Sequence, residues 1–129
     1  MRTLRIGIAS YEEMKARTLA IAKGEYKPAA GEPKVWFTSA ESFARILSDR
    51  NRTLLRIIAE SAPESLARLV ALTGRQKSNL SRTLKTMERY GFVRLRRGAR
   101  GAVVPRVPYE QISLVLPLSK QARMPRKAA

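Results

Sequence analysis

An α+β fold is predicted for this chain of 129 residues, and three features predict it. Apolar residues alternate near both ends and again around residues 92–95, the period-two pattern of half-buried strands. Between residues 43 and 87 the apolar positions recur at three- and four-residue spacing, as in helices that bury one face. Cap residues, prolines and glycines cut that stretch into short helices. With 44% hydrophobic residues the chain can fill a core, and its length suits one domain with extensions.

Leu4, Ile6 and Ile8 place residues 3–9 in a half-buried strand. Ser10-x-x-Glu13 is a capping box, in which each side chain satisfies an amide left unpaired in the first helical turn. It opens a helix over residues 11–22 with Met14, Thr18, Ile21 and Ala22 on one side. Gly24 ends that helix, and residues 28–33 form a Pro/Gly-rich linker. Val35, Trp36 and Phe37 make a short strand. Thr38-x-x-Glu41 reads as a second capping box, for a helix carrying Phe43, Ile46 and Leu47 inward. Asp49 suits the N-cap of the next helix, whose core face is Leu54, Leu55, Ile57 and Ile58. Pro63 stops it, and Ser65 caps a helix of about 66–72 that Thr73-Gly74 breaks. A longer helix over 77–89 sets Leu80, Leu84 and Met87 on one face and ends at Gly91. Residues 92–95 then alternate as a strand, residues 96–101 are a flexible basic turn, and Val103-Val104 return as its partner. Ile112, Leu114, Leu116 and Leu118 alternate as a last strand. The outer strands need a partner: each other, the basic hairpin, or a second copy.

There is no cysteine and no histidine. Disulfides, thiolate or imidazole zinc sites and nucleophile–histidine machinery are therefore excluded. The scattered Ser, Lys and Glu supply no activated nucleophile–base pair, so neither enzyme activity nor a cofactor or metal is expected. No stretch approaches the ~18–20 apolar residues of a membrane span, and the N-terminus lacks a secretory leader pattern. A cytoplasmic, nucleoid-associated protein is expected. Lys and Arg outnumber Asp and Glu by 26 to 10, a net charge of +16. Residues 75–106 hold ten basic side chains against Glu88 alone, which is +9 of that excess. Such a concentration points to a polyanion, and its wealth of arginine suits bidentate contact with phosphate or guanine.

Three helices followed by a basic hairpin is the order of a winged helix-turn-helix. The residues sharpen this. Ser65-Leu66-Ala67-Arg68-Leu69 and Thr73-Gly74, then Ser78-Asn79-Leu80-Ser81-Arg82-Thr83-Leu84 through Met87-Glu88 to Gly91-Phe92-Val93, resemble the MarR/ArsR-like regulators of prokaryotes over about half the chain. One departure is Gln76 at the N-cap of helix 77–89, where Ser, Thr or Asp is usual. It costs the helix start about 1 kcal/mol or frees Gln76 for a base. The segments Val35-Trp36-Phe37-Thr38-Ser39 and Leu47-Ser48-Asp49-Arg50-Asn51-Arg52-Thr53-Leu54-Leu55 resemble short prokaryotic winged-helix proteins that include TumA-like antitoxins.

A recognition helix of this kind enters the major groove with its N-terminal turns. With Leu80, Leu84 and Met87 in the core, the opposite stripe is Lys77, Ser78, Ser81, Arg82 and Lys85, with Asn79 at its edge. Gln76 and Asn79 can read adenine and Arg82 guanine. Lys77, Ser78, Ser81 and Lys85 suit phosphates, although Lys85 and Arg89 serve equally as solvated helix surface. Arg96, Arg97 and Arg100 of the wing suit the neighbouring minor groove or its phosphates, and Arg94 the backbone. Trp36 and Phe37 read as packing residues more readily than as a base-stacking pair. The expected domains are a 1–33 extension and linker, a 34–108 winged-helix domain, a 109–119 strand and a disordered basic tail at 120–129. The expected function is a dimeric repressor on a near-palindromic operator in double-stranded DNA. The alternatives are an antitoxin that binds a cognate toxin and represses its own operon, and an RNA-binding winged domain.

Overall fold

Ser10 and Glu13 do what their spacing requires. The Ser10 hydroxyl accepts from the Glu13 amide at 3.1 Å, and the Glu13 carboxylate accepts from the Ser10 amide at 3.0 Å, opening helix α1 (Tyr11–Ala22). The structure, a computed structural model, describes residues 2–118; the tail expected at 120–129 lies outside the described residues. It is α+β. Among the described residues five α-helices accompany a three-stranded sheet and a two-stranded sheet, and they divide into two compact units, one of residues 44–110 with Arg2 and one of residues 3–43 with 111–118.

In the second unit, β1 (Thr3–Ile8) runs between β2 (Val35–Phe37) and β5 (Gln111–Val115), parallel to both. Ile6 is in register with Val35 on one side and Leu114 on the other. The terminal strands thus pair with each other, the first of their three possible arrangements, and β5 is shorter than the alternation of 112–118 suggests. This pairing also moves the expected boundary at residue 33. β2 belongs with the N-terminal strand, because parallel neighbours need a long crossover and helix α1 with the linker provides it.

Helix α1 does not bury its expected face, since Thr18 and Ala22 are exposed. Arg17 turns inward instead. Its guanidinium lies 5.2 Å from the Trp36 ring centroid, 5.7 Å from that of Tyr26 and 3.0 Å from the Glu32 carboxylate. Trp36 in turn covers Gly7, where an added Cβ would sit 2.5 Å from the indole ring. Trp36 is therefore a packing residue of this sheet, and Phe37 is buried edge-on to Phe43.

Helix α2 (Ala40–Ile46) starts one residue later than its expected cap. Ser39, not Thr38, accepts from the Ser42 amide. The same shift by one occurs at α3 (Asp49–Ser61), where Ser48 accepts from the Asn51 amide and Asp49 becomes the first helical residue. Serine caps better than threonine and as well as aspartate, so in each adjoining pair it is an able competitor for the same amide. Ser65 caps α4 (Leu66–Thr73) as expected, and Gly74 ends it in the left-handed conformation at φ 71°.

Helix α5 (Lys77–Arg89) buries Leu80, Leu84 and Met87. These join Leu47, Leu54, Leu55 and Ile58, Leu69 of α4 and the Phe92–Val93 pair among the buried apolar residues of this unit. Phe92 and Val93 precede the hairpin instead of opening it. Its strands are β3 (Arg94–Arg97) and β4 (Val103–Arg106), antiparallel, with Leu95 opposite the buried Pro105. Arg96 and Arg97 therefore sit on a strand and not in the turn, which is confined to residues 98–102.

Candidate nucleic-acid interface

The surface of interest is built by α5 and the hairpin that follows it. Because Leu80, Leu84 and Met87 fix one face inward, the 3.6-residue period turns Ser78, Arg82, Lys85 and Arg89 outward as a single stripe. Gln76, Lys77, Ser78, Arg82, Lys85 and Arg89 are all exposed, and Ser81 is half-buried on the flank. Arg89 thus extends the expected stripe by one more cation. On the hairpin, Arg94, Arg96, Arg97 and Arg100 are exposed. Among the described residues none of these cations is paired with a carboxylate; the ion pairs Arg17–Glu32 and Arg52–Asp49 lie elsewhere in the chain.

The one acid of the window is turned to another task. The Glu88 carboxylate accepts from the Leu95 amide at 3.2 Å, tying the end of α5 to β3. Arg106 is structural as well: its guanidinium donates to the Pro63 carbonyl at 2.8 Å and to its own neighbour Pro105 at 2.7 Å. Eight of the ten cations of residues 75–106 are therefore exposed, while Glu88 and Arg106 hydrogen-bond to the backbone.

Two features of α5 run against helix stability. Gln76 at the N-cap makes no side-chain capping bond, and the first turn holds Lys77 and no acid. A missing cap costs about 1 kcal/mol and a cation at a helix N-terminus a further ~0.3–1 kcal/mol. Both leave amides and positive charge available to an external anion.

Asn79 requires a correction. Bidentate recognition of adenine needs its carbonyl oxygen as acceptor, and that oxygen already accepts from Arg75 Nε at 2.9 Å and from Arg75 Nη2 at 2.7 Å. Both lone pairs are engaged, so Asn79 is set apart from the outward stripe. Arg75, counted in the sequence only as one charge among ten, is the residue that reading missed. The signal was present in its spacing, with Asn79 and Thr83 at i+4 and i+8 along one helix flank. Burial foremost, and the nearby Arg50 second, pull the Arg75 pKa below its ordinary value.

The hairpin turn stores a local cost. Arg100 adopts φ 58° and ψ 29°, the left-handed conformation that favours glycine, and Arg97 braces the turn by donating to the Gly101 carbonyl at 3.1 Å. Gly98 cannot be replaced cheaply, since a Cβ there would meet Val104 Cγ2 at 2.5 Å. We expect Arg100→Gly to raise the unfolding free energy by about 0.5–1 kcal/mol by relieving the Cβ clash. Chemical denaturation checks this, and a loss of stability would show that the arginine side chain holds the turn.

Fold and surface together define a small α+β protein with an outward array of arginine and lysine on one helix and its adjoining hairpin. Residues 46–114, slightly more than half of the chain, match the HVO_A0114 family, and the protein belongs to that family. No curated protein and no solved structure matches the chain. Among the described residues, no helix is long and apolar enough to cross a membrane.

Proposed function

We propose that the protein is a dimeric winged helix-turn-helix regulator, of repressor type, that binds double-stranded DNA in a sequence-specific manner. Helices α3, α4 and α5 supply the three-helix part, and β3 with β4 the wing. The observation that carries the reading is the uncompensated cationic stripe of α5 continued onto the hairpin. A surface built for solubility mixes signs, whereas this one turns its only carboxylate to a backbone amide. In this reading α5 lies in the major groove, with Gln76 and Arg82 at base edges and Lys77, Ser78, Ser81, Lys85 and Arg89 toward phosphates. Arg94, Arg96, Arg97 and Arg100 hold the flanking backbone or minor groove.

The second copy fits the outer edge of β5. Among the described residues that strand has no neighbour on its far side; it exposes Ile112, Leu114 and Val115 and lies in a stretch, 111–118, without a charged residue. In a chain of net charge +16, two copies repel least where neither carries charge.

Selection of bound duplexes from a random pool tests the proposal. The expected result is a recurrent site of two inverted half-sites about 10 bp apart. Binding of the selected site should fall linearly on a log–log salt plot, with a slope of about −0.9 per phosphate contact. Arg96→Ala and Arg100→Gly should each reduce the slope by about 0.9; an unchanged slope in both removes the hairpin from the interface. Equal affinity for every duplex would contradict sequence reading. Preference for duplex RNA, whose deep major groove admits no helix, would favour the RNA alternative.

A further inference from the structure

The α4–α5 turn contains a polar knot that the stripe of contact residues does not use. Arg75 stands immediately before the uncapped start of α5. Its Nε and Nη2 hold the Asn79 carbonyl oxygen at 2.9 and 2.7 Å, Nη2 also reaches Thr83 Oγ1 at 3.3 Å, and Nη1 reaches Asn51 Oδ1 of α3 at 3.4 Å. Asn51 is itself anchored, since its side-chain amide donates to the Ile46 carbonyl at 3.0 Å. The Arg75 amide donates to Thr73 Oγ1 at 3.2 Å, and that hydroxyl donates to the Leu69 carbonyl at 2.8 Å. One guanidinium thus ties two turns of α5 to α3, from a residue whose own backbone is pinned to the end of α4.

We infer that Arg75 is a specificity-determining positioning residue: by occupying the Asn79 carbonyl oxygen it withholds Asn79 from the base edges, so that Gln76 and Arg82 read the site. The inference rests on the DNA-binding reading above. An asparagine one turn into a groove-entering helix is otherwise a strong adenine reader, because its amide presents an acceptor and a donor to adenine N6 and N7. With the acceptor held by two N–H donors, only the amide NH2 remains, which gives one bond and little discrimination. Arginine is suited to the task because its planar fork delivers two parallel donors to one oxygen from a fixed direction. A lysine in its place would offer a single mobile ammonium and could not hold the amide plane.

The test compares the wild-type protein with Asn79→Ala, Arg75→Met, Arg75→Lys and the Arg75→Met/Asn79→Ala double variant, each checked for its helical circular dichroism. Each is carried through selection from the same random duplex pool. Asn79→Ala should keep the wild-type base preferences, with affinity for the selected duplex changed less than about threefold. Arg75→Met should acquire a new adenine preference at one position, about tenfold, which the double variant loses. Arg75→Lys should show the same new preference more weakly, and it decides the matter if Arg75→Met does not fold. The inference is overturned if Asn79→Ala alone erases an adenine preference of the wild-type protein, or if freeing Asn79 leaves the preferences unchanged. Enrichment of no duplex by the wild-type protein would instead overturn the DNA-binding reading itself, and this inference with it.

Discussion

Arg82→Ala is expected to weaken binding of the selected duplex by about 1–3 kcal/mol and to relax base preference at a single position. Arg82 is exposed at the middle of the outward stripe of α5, one turn beyond Ser78 and directly opposite the core residues Leu80, Leu84 and Met87. Its five N–H donors face no carboxylate among the described residues, so binding need not first break an internal ion pair. A guanidinium placed there presents its fork to guanine O6 and N7. Because the side chain is exposed, stability should change by less than ~0.5 kcal/mol. Titration of the selected duplex and of single-base variants separates the outcomes. Equal loss on every variant means that Arg82 touches only phosphate.

Leu84→Ala is expected to lower the unfolding free energy by about 2–5 kcal/mol, the larger of the two effects. Leu84 is 1% exposed and sits between Leu80 and Met87 on the one face of α5 that is buried. Truncation removes its transfer energy and leaves a cavity that a rigid helix cannot collapse to fill. A domain of this size has only ~5–15 kcal/mol in all, so a substantial unfolded fraction follows on mild heating. The denaturation midpoint measures it. A shift under 1 kcal/mol would mean that α5 is not held by this seam, and the orientation of the outward stripe would lose its physical basis.

That seam was legible in the sequence because a single helix writes its own face: Leu80, Leu84 and Met87 need no knowledge of their neighbours. The capping box at Ser10 and Glu13 and the cap at Ser65 are equally local, and both form. The caps at Thr38 and Asp49 were misplaced by one residue because an adjacent serine competes for the same amides, and relative fit depends on chain direction at that point. The union of β1 with β2 and β5 was open because parallel pairing is nonlocal and leaves no turn signature. Arg17 was missed since periodicity scores it as polar, although the Tyr26 and Trp36 rings and Glu32 make its inward place favourable. In the candidate interface, outward cations were readable from the helical period. The fate of Asn79 was not, because it depends on a guanidinium four residues earlier that charge counting treats as free surface.

In the proposed reading the α5 stripe and the hairpin form one contact surface for duplex DNA. It is tested most directly by following backbone amide resonances while the selected duplex is added to the full-length chain. Shifts are expected to concentrate in residues 76–89 and 94–101, with the second unit, residues 3–43 and 111–118, largely unmoved away from β1 and β5. Shifts confined to residues 3–43 and 111–118, with α5 and the hairpin silent, would contradict it.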